Sequence, residues 1–175
     1  MSVKITGVGN ITLLHVQCSQ FYISGIDLNS LAEEVLKDFS PEKRASNNRS
    51  LNGAIYEDSF FEHGEQSNKL IEAISAVADS IGMKIINRIW AQVHHPYECC
   101  EVHDHLGGPD MGFVFYVKVP DGAGKLYFDF DQTGTSIIEP IEGMLVLFPA
   151  NLKHGVTKNL SNELRISISG DFHKQ

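Results

Sequence analysis

The sequence after Gly82 is a succession of short runs rich in β-branched and aromatic residues, with turn-forming residues between them. Clusters such as Gly107-Gly108-Pro109 and Pro120-Asp121-Gly122 supply these turns. The runs cover residues 84–93, 97–103, 113–119, 125–130, 136–139, 144–148, 155–158 and 164–169. No segment between them is long enough for a crossover helix. The strands are therefore expected to pair antiparallel, in a sandwich or small barrel.

Two amphipathic helices are predicted ahead of these strands. Asp27 occupies an N-cap position, and apolar residues recur at helical spacing from Leu28 to Phe39, before Ser40-Pro41 ends the run. A second apolar stripe runs from Leu70 to Ile81 and ends at Gly82, a residue suited to the position after a helix. The expected fold class is therefore an all-β core with N-terminal helices (α+β), a jelly roll backed by helices.

The remaining N-terminal segments are less regular. Residues 3–16 predict two short strands around a turn that contains two glycines, and residues 21–23 predict a third strand. Residues 41–53 carry no apolar period and predict a surface loop. Three aromatic residues that follow this loop are expected to pack into the core: Tyr56, Phe60 and Phe61.

Length and composition indicate one ordinary globular domain. The chain has 175 residues, of which 42% are hydrophobic and 21% are charged. We expect a single domain over 1–175, in which 1–82 contributes strands and two supporting helices and 83–175 forms the jelly-roll core. A net charge of −8 disfavours nucleic acid as a partner. No apolar run approaches the roughly 20 residues needed to cross a bilayer, so a soluble cytoplasmic protein is expected.

The three cysteines predict no disulfide framework. Cys18 stands alone, and Cys99 and Cys100 are adjacent, so neither CxxC spacing nor an even count is present. Neighbouring strand residues point to opposite faces, which suits small buried side chains better than a joint metal clamp. We expect these cysteines, with His94 and His95, to be packing residues or neighbours of a site.

The triplet His103-Asp104-His105 is the first candidate for a metal site. If this segment is extended, the two histidines point to the same face and could bind one ion. A third histidine, His154, follows the turn after the apolar strand 144–148. Taken alone, each of these histidines is more often a surface residue, so the hypothesis depends on their combination.

An arginine in a late strand is the second candidate. Alternation in residues 164–169 places Arg165, Ser167 and Ser169 on one face and apolar residues on the other. A buried arginine is costly unless an anion meets it, and its planar guanidinium can bind a carboxylate through two hydrogen bonds. Ser167 could add a third hydrogen bond.

These motifs, in this order, resemble the 2-oxoglutarate and Fe(II)-dependent oxygenases, above all a group of members found in phages and bacteria. The resemblance covers roughly residues 90–172 and includes the His-x-His pair, the run from Gly112 to Pro120, the run from Gly143 to Pro149, His154 and Arg165-x-Ser167. It implies a double-stranded β-helix, the cupin-like jelly roll, with Fe(II) as cofactor and 2-oxoglutarate as co-substrate. It also implies a dioxygenase that hydroxylates a substrate and releases succinate and CO2. If the chain is phage-encoded, its compartment would be the host cytoplasm.

The resemblance assigns roles to individual residues. His103 and His154 would bind the iron, Arg165 would bind the far carboxylate of 2-oxoglutarate with help from Ser167, and Tyr116 and Gln92 are weaker candidates for contacts to it. No further catalytic side chain is predicted.

The third metal ligand is the open point. The common superfamily motif is His-x-Asp or His-x-Glu, whereas the residue two positions after His103 is His105. We rank His105 first, with Asp104 and Asp110 as alternatives that a bend in the chain could bring to the ion.

Two other readings remain. A cupin-like metalloprotein would use His103, His105, Asp110 and His154, but it has no particular use for Arg165-x-Ser167. A metal-free binding domain would leave Arg165 to pair with an internal aspartate such as Asp129. The expected substrate is a small molecule or a peptide, together with O2, and the expected rim of the site is residues 41–66 and 94–111.

Overall fold

The structure is a computed structural model that describes residues 2–13, 16–37, 54–55 and 64–175. Its helices are α1 (Leu28–Lys37) and α2 (Glu65–Ser80). Its strands are β1 (Lys4–Leu13), β2 (Val16–Ser24), β3 (Ala54–Ile55), β4 (Met83–His94), β5 (Cys100–His103), β6 (Met111–Lys118), β7 (Leu126–Asp129), β8 (Thr135–Ile138), β9 (Met144–Pro149), β10 (His154–Val156) and β11 (Arg165–Lys174). The predicted loop 41–53, its three aromatic residues and most of the rim 41–66 lie outside the described residues.

The strands form two antiparallel sheets. The larger sheet has the order β1-β2-β9-β6-β11-β4-β3, and the smaller has the order β5-β10-β7-β8. All eight strands predicted after Gly82 are present as β4 to β11. The expected fold class, an all-β core with N-terminal helices arranged as a double-stranded β-helix, is confirmed.

The N-terminal strands differ from the prediction. Lys4–Leu13 is one long strand that pairs with β2, where two short strands around a turn were expected. Gly9 has φ +129°, and the pairing register shifts between Gly7 and Gly9. The glycines therefore form a bulge within a strand and not a turn between strands. Because β2 also pairs with β9, this hairpin extends the larger sheet.

The N-terminus of each helix is capped by a carboxylate, in α1 from the adjacent residue and in α2 from the other helix. The Asp27 carboxylate accepts hydrogen bonds from the backbone N–H of Asn29 (3.1 Å) and Ser30 (3.2 Å), as predicted for the N-cap of α1. Helix α2 begins at Glu65, ahead of its apolar stripe, where the Glu34 carboxylate accepts from the N–H of Gln66 (3.0 Å) and Ser67 (2.8 Å). Neither described helix is long and apolar enough to cross a bilayer.

Alternation in the central strands separates two apolar cores. On β6, Phe113, Phe115 and Val117 face the helices, while Val114 and Tyr116 face the space between the sheets. Strand β11 sends Ile166, Ile168 and Phe172 to the helix side. The opposite face of β11 is therefore a buried polar row made of Arg165, Ser167, Ser169 and Asp171.

Candidate active site

A solvent-connected cavity is lined by several of the candidate residues. Two polar groups meet there. The first, the histidine cluster, is defined as His103, His105 and His154, all of which line the cavity. The second, the arginine pocket, is defined as Arg165, which also lines the cavity, with its neighbours Tyr116, Ser167 and His94. The lining of the cavity also includes Trp90, Gln92, Phe148 and Ser169.

Strand pairing brings the histidine cluster together. His103 on β5 is the direct partner of His154 on β10, and the backbone N–H of His105 donates to Ala150 O at 2.9 Å, just before the turn that leads to His154. One ligating atom from each of the three histidines lies within 4.8 Å of the others. The structure thus brings together the three histidines that the sequence ranked first.

Hydrogen bonds fix the tautomer of each histidine in the cluster. His103 Nδ1 lies 2.9 Å from Glu101 O, and His154 Nδ1 lies 2.7 Å from Leu152 O. A carbonyl oxygen only accepts, so each Nδ1 must carry the proton and donate it. The neutral ring then has its lone pair on Nε2, which is the form that binds a metal.

Burial keeps His154 neutral. The pKa of His154 is lowered to about 3, chiefly by desolvation and also by the nearby His103 and His105, while its bond to the Leu152 carbonyl acts in the opposite direction. At neutral pH the ring is therefore unprotonated and able to ligate.

The two aspartates that were alternatives for the third ligand have other partners. Asp104 Oδ1 accepts from the backbone N–H of Leu106 at 3.3 Å. Asp110 Oδ2 accepts from the N–H of Lys174 at 3.0 Å and lies 3.5 Å from His173 Nδ1. The Lys174 hydrogen bond is the main cause that lowers the pKa of Asp110. The structure does not bring either carboxylate into the histidine cluster.

Arg165 is the centre of the arginine pocket and is fully buried. Its Nε donates to Gly124 O at 2.8 Å, and its Nη1 donates to Ser167 Oγ at 3.0 Å. Its guanidinium carbon lies 5.5 Å from the centroid of the Tyr116 ring. Gly124 fits here because a Cβ at this position would collide with the Thr157 carbonyl. Burial lowers the pKa of Arg165, with Tyr116 and Cys100 acting in the opposite direction.

Two buried donors in the arginine pocket have no hydrogen-bond partner among the described residues. They are Arg165 Nη2 and the Tyr116 hydroxyl. Burial raises the pKa of Tyr116 to about 12, so its hydroxyl keeps its proton and can donate. Unsatisfied buried donors are rare and costly, and they point to a ligand that completes them. The donors and the positive charge fit a carboxylate.

His94 completes the pocket from β4. Its Nδ1 lies 3.3 Å from Arg165 Nη1, and because a guanidinium only donates, this nitrogen is the acceptor. The pKa of His94 is lowered to about 3, chiefly by desolvation and also by the nearby Arg165 and His95. A residue expected to be near the site thus contacts its arginine directly.

The weaker candidates flank the same strand. Gln92 on β4 and Tyr116 on β6 are both register partners of Ser167 on β11. Gln92 lines the cavity. Asp129, the internal partner considered for Arg165, instead accepts from the backbone N–H of Asp131 at 2.9 Å.

The cysteines form no disulfide with one another. Cys18 and Cys100 are buried, and Cys99 is partly exposed. Desolvation raises the pKa of Cys18 and that of Cys100 to about 12, so both thiols stay protonated. Cys100 lines the cavity but is a poor metal ligand in this form.

Asp171 is a polar residue of the site that the sequence reasoning missed. Its Oδ1 lies 2.8 Å from His105 Nδ1, and its side chain is only 7% exposed. The predicted strand ended at residue 169, but β11 continues to Lys174. The signal was present, because the alternation of Arg165, Ser167 and Ser169 extends to position 171.

Comparison with known proteins agrees with this geometry. The sequence model of the family described as "Putative 2OG-Fe(II) oxygenase" matches residues 129–171, a segment that contains His154, Arg165 and Asp171. This match covers less than half of the chain, and over it the chain is similar to the 2-oxoglutarate and Fe(II)-dependent oxygenases. Enzymes of this superfamily are oxidoreductases that use Fe(II) as cofactor and 2-oxoglutarate as co-substrate. No curated protein matches the sequence significantly.

Solved structures share the fold of this protein at low sequence identity. A Pseudomonas putida prolyl-4-hydroxylase is 18% identical with a TM-score of 0.69, over 90% of this chain and 92% of that one. The carbocyclase SnoK of nogalamycin biosynthesis is 13% identical with a TM-score of 0.70, over 90% and 79%. A Trichoplax adhaerens prolyl hydroxylase, solved with a peptide fragment of hypoxia inducible factor, is 16% identical with a TM-score of 0.59, over 84% and 78%.

Proposed function

We propose that this protein is a 2-oxoglutarate and Fe(II)-dependent oxygenase that binds Fe(II) through His103, His105 and His154 and anchors 2-oxoglutarate through Arg165. The reaction would hydroxylate a small-molecule or peptide substrate and release succinate and CO2. Bound Fe(II) would supply the activation of O2 that oxidation of a substrate C–H bond requires.

The histidine cluster supports the metal assignment by its tautomers. Backbone carbonyls hold the Nδ1 protons of His103 and His154, so their Nε2 lone pairs are available without prior deprotonation. Three protein ligands leave further coordination positions for the co-substrate and O2. Imidazole is also a ligand type suited to iron.

The observation that carries the proposal is the pair of unsatisfied donors in the arginine pocket. A carboxylate placed there would accept from Arg165 Nη2 and from the Tyr116 hydroxyl, and it would neutralise a fully buried positive charge. His94 and Ser167 contact the Nη1 nitrogen of the guanidinium, and these contacts set its orientation. These residues would fix the far end of 2-oxoglutarate.

The substrate class rests on broader considerations. One structural neighbour was solved with a peptide, and another acts in nogalamycin biosynthesis. The net charge of −8 opposes binding to a phosphate backbone. The three free cysteines fit a reducing compartment such as the cytoplasm. Among the predicted rim residues, Leu106 is 71% exposed and could contact an apolar part of a substrate.

A comparison of two 2-oxo acids tests the proposal. Under anaerobic conditions with Fe(II), chelation of a 2-oxo acid produces visible charge-transfer absorption. We expect 2-oxoglutarate to saturate this signal at a concentration about 100-fold lower than pyruvate, which lacks the far carboxylate. Arg165→Met should remove this difference. Absence of the signal from the wild-type protein would contradict the proposal.

The third ligand is tested by two matched single variants. We expect His105→Ala to weaken Co(II) binding by at least about 10-fold, because a ligand is lost. Asp104→Ala should leave it within about 2-fold, since the Asp104 carboxylate accepts only a local backbone hydrogen bond. Isothermal titration measures both. The reverse pattern would assign the third position to Asp104.

A further inference from the structure

The three histidines of the cluster differ in what holds their Nδ1 protons. Two of them donate to neutral backbone carbonyls, those of Glu101 and Leu152. His105 donates to the carboxylate of Asp171 at 2.8 Å. His105 is thus in direct contact with a carboxylate.

Because Asp171 is buried, its carboxylate is energetically unfavourable unless a cation compensates its charge. Its side chain is 7% exposed and that of His105 is 16% exposed. A buried carboxylate loses much of its hydration, and a single hydrogen bond repays this only in part. A metal cation on the far side of the His105 imidazole would offset the negative charge of the Asp171 carboxylate through the ring.

The ligand set provides a reason for such an anion. Three neutral histidines give an Fe(II) site no negative charge, whereas the common His-x-Asp or His-x-Glu pattern supplies one charge from a ligating carboxylate. A carboxylate that accepts the Nδ1 proton of a ligating histidine raises the basicity of the ligating nitrogen and fixes the ring orientation.

We propose that Asp171 is a positioning residue that supplies negative charge to the metal site through His105, in place of the ligating carboxylate that is not found among the described residues of the cluster. The proposal rests on the function proposed above. Asp171 does not touch the metal or the substrate, and its effect passes entirely through the imidazole. Strand β11 thus presents one residue to each polar group of the cavity, Arg165 to the co-substrate and Asp171 to the metal ligand.

The principal test is Asp171→Asn, which keeps the shape and one acceptor oxygen but removes the charge. We expect Co(II), titrated into the metal-free protein, to bind about 10- to 100-fold more weakly than to the wild type. The visible d–d absorption of bound Co(II) should also shift, because a less basic ligand changes the ligand field. Unchanged affinity and absorption would overturn the proposal.

Asp110→Asn is the matched control. Asp110 also lies beside a histidine, with 3.5 Å between its Oδ2 and His173 Nδ1, but this pair is outside the cluster. The Asp110→Asn substitution removes the same negative charge from the protein as Asp171→Asn does. We expect unchanged Co(II) affinity, and an equal loss in both variants would show a general charge effect and overturn the proposal.

A second background separates the charge from a structural role. His105→Asp places a carboxylate in the ligand set itself, next to Asp171. In this background Asp171→Asn should leave Co(II) affinity equal or improved, because it removes one of two adjacent negative charges. A structural role would give the same loss in both backgrounds. If His105→Asp does not fold, His105→Ala serves, and there Asp171→Asn should have no further effect on Co(II) affinity.

The outcomes also separate this inference from the proposed function. Co(II) binding that is absent in the wild type, or insensitive to His154→Ala, would contradict the metal site itself. Binding that depends on His154 but is unchanged by Asp171→Asn would contradict only the role of Asp171.

Discussion

The histidine cluster and Arg165, the centre of the arginine pocket, line one cavity. The cluster and the pocket satisfy their polar atoms in different ways. In the cluster, every Nδ1 has an acceptor from the protein. In the pocket, two buried donors have no acceptor among the described residues. The cluster presents nitrogen lone pairs, and the pocket presents N–H and O–H groups with a positive charge. One group suits a cation and the other an anion, so the two should respond independently to mutation.

Loss of a cluster histidine should have the largest effect. We expect His154→Ala to weaken Co(II) binding by at least about 100-fold, since a ligand is removed from a set of three. Arg165→Met should leave Co(II) affinity within about 3-fold. Titration of both variants tests the separation, which fails if the arginine variant also loses the metal.

Loss of the arginine should affect only the anion. In the presence of metal, 2-oxoglutarate should raise the melting temperature of the wild type but not of Arg165→Met, because a buried charge partner is worth roughly 2–5 kcal/mol. Without ligand, Arg165→Met should be as stable as the wild type or more so, because the fully buried charge is replaced by an apolar side chain. A ligand-induced rise that survives this substitution would argue against Arg165 as the anchor.

Acid should destabilise the metal-free protein through His94. Its native pKa is about 3 and its reference value is 6.5, so between these values the unfolded state binds more protons. The contribution of His94 to the free energy of unfolding is therefore fully present above pH 6.5. As the pH falls below 6.5, the stability decreases by up to about 1.4 kcal/mol per pH unit for this group. His94→Gln should show a shallower loss in urea unfolding between pH 6.5 and 5. An equal slope would indicate that His94 is protonated in the native state.

The smallest effect is expected at Tyr116. Tyr116→Phe should weaken 2-oxoglutarate binding by about 10-fold, because one hydrogen bond to the carboxylate is lost. It should also stabilise the ligand-free protein by about 1 kcal/mol, since it removes a buried donor without a partner. Opposite signs in the two assays would set this residue apart from a packing residue.

Features that depend on local pattern could be predicted from the sequence. Period-two alternation and turn residues predicted all eight strands after Gly82. The N-cap at Asp27 could also be predicted, because it involves only neighbouring residues. The three histidines and Arg165 could be predicted as site residues because each belongs to a short motif.

Features that depend on distant partners could not be predicted. Helix α2 begins at Glu65 because Glu34, on another helix, caps it, and no local residue signals this. The contact between His94 and Arg165 joins residues 71 positions apart. Gly9 serves a bulge because its neighbours pair with β2, and the same glycine without that pairing would suit a turn.

Strand β11 is hydrogen-bonded on both sides, to β4 and to β6. Amides in such a central strand exchange with solvent only through large-scale opening of the molecule. The groups proposed to hold the co-substrate and to support the metal ligand are therefore built on the part of the sheet that opens last. Loss of the co-substrate anchor at Arg165 on heating should then coincide with global unfolding.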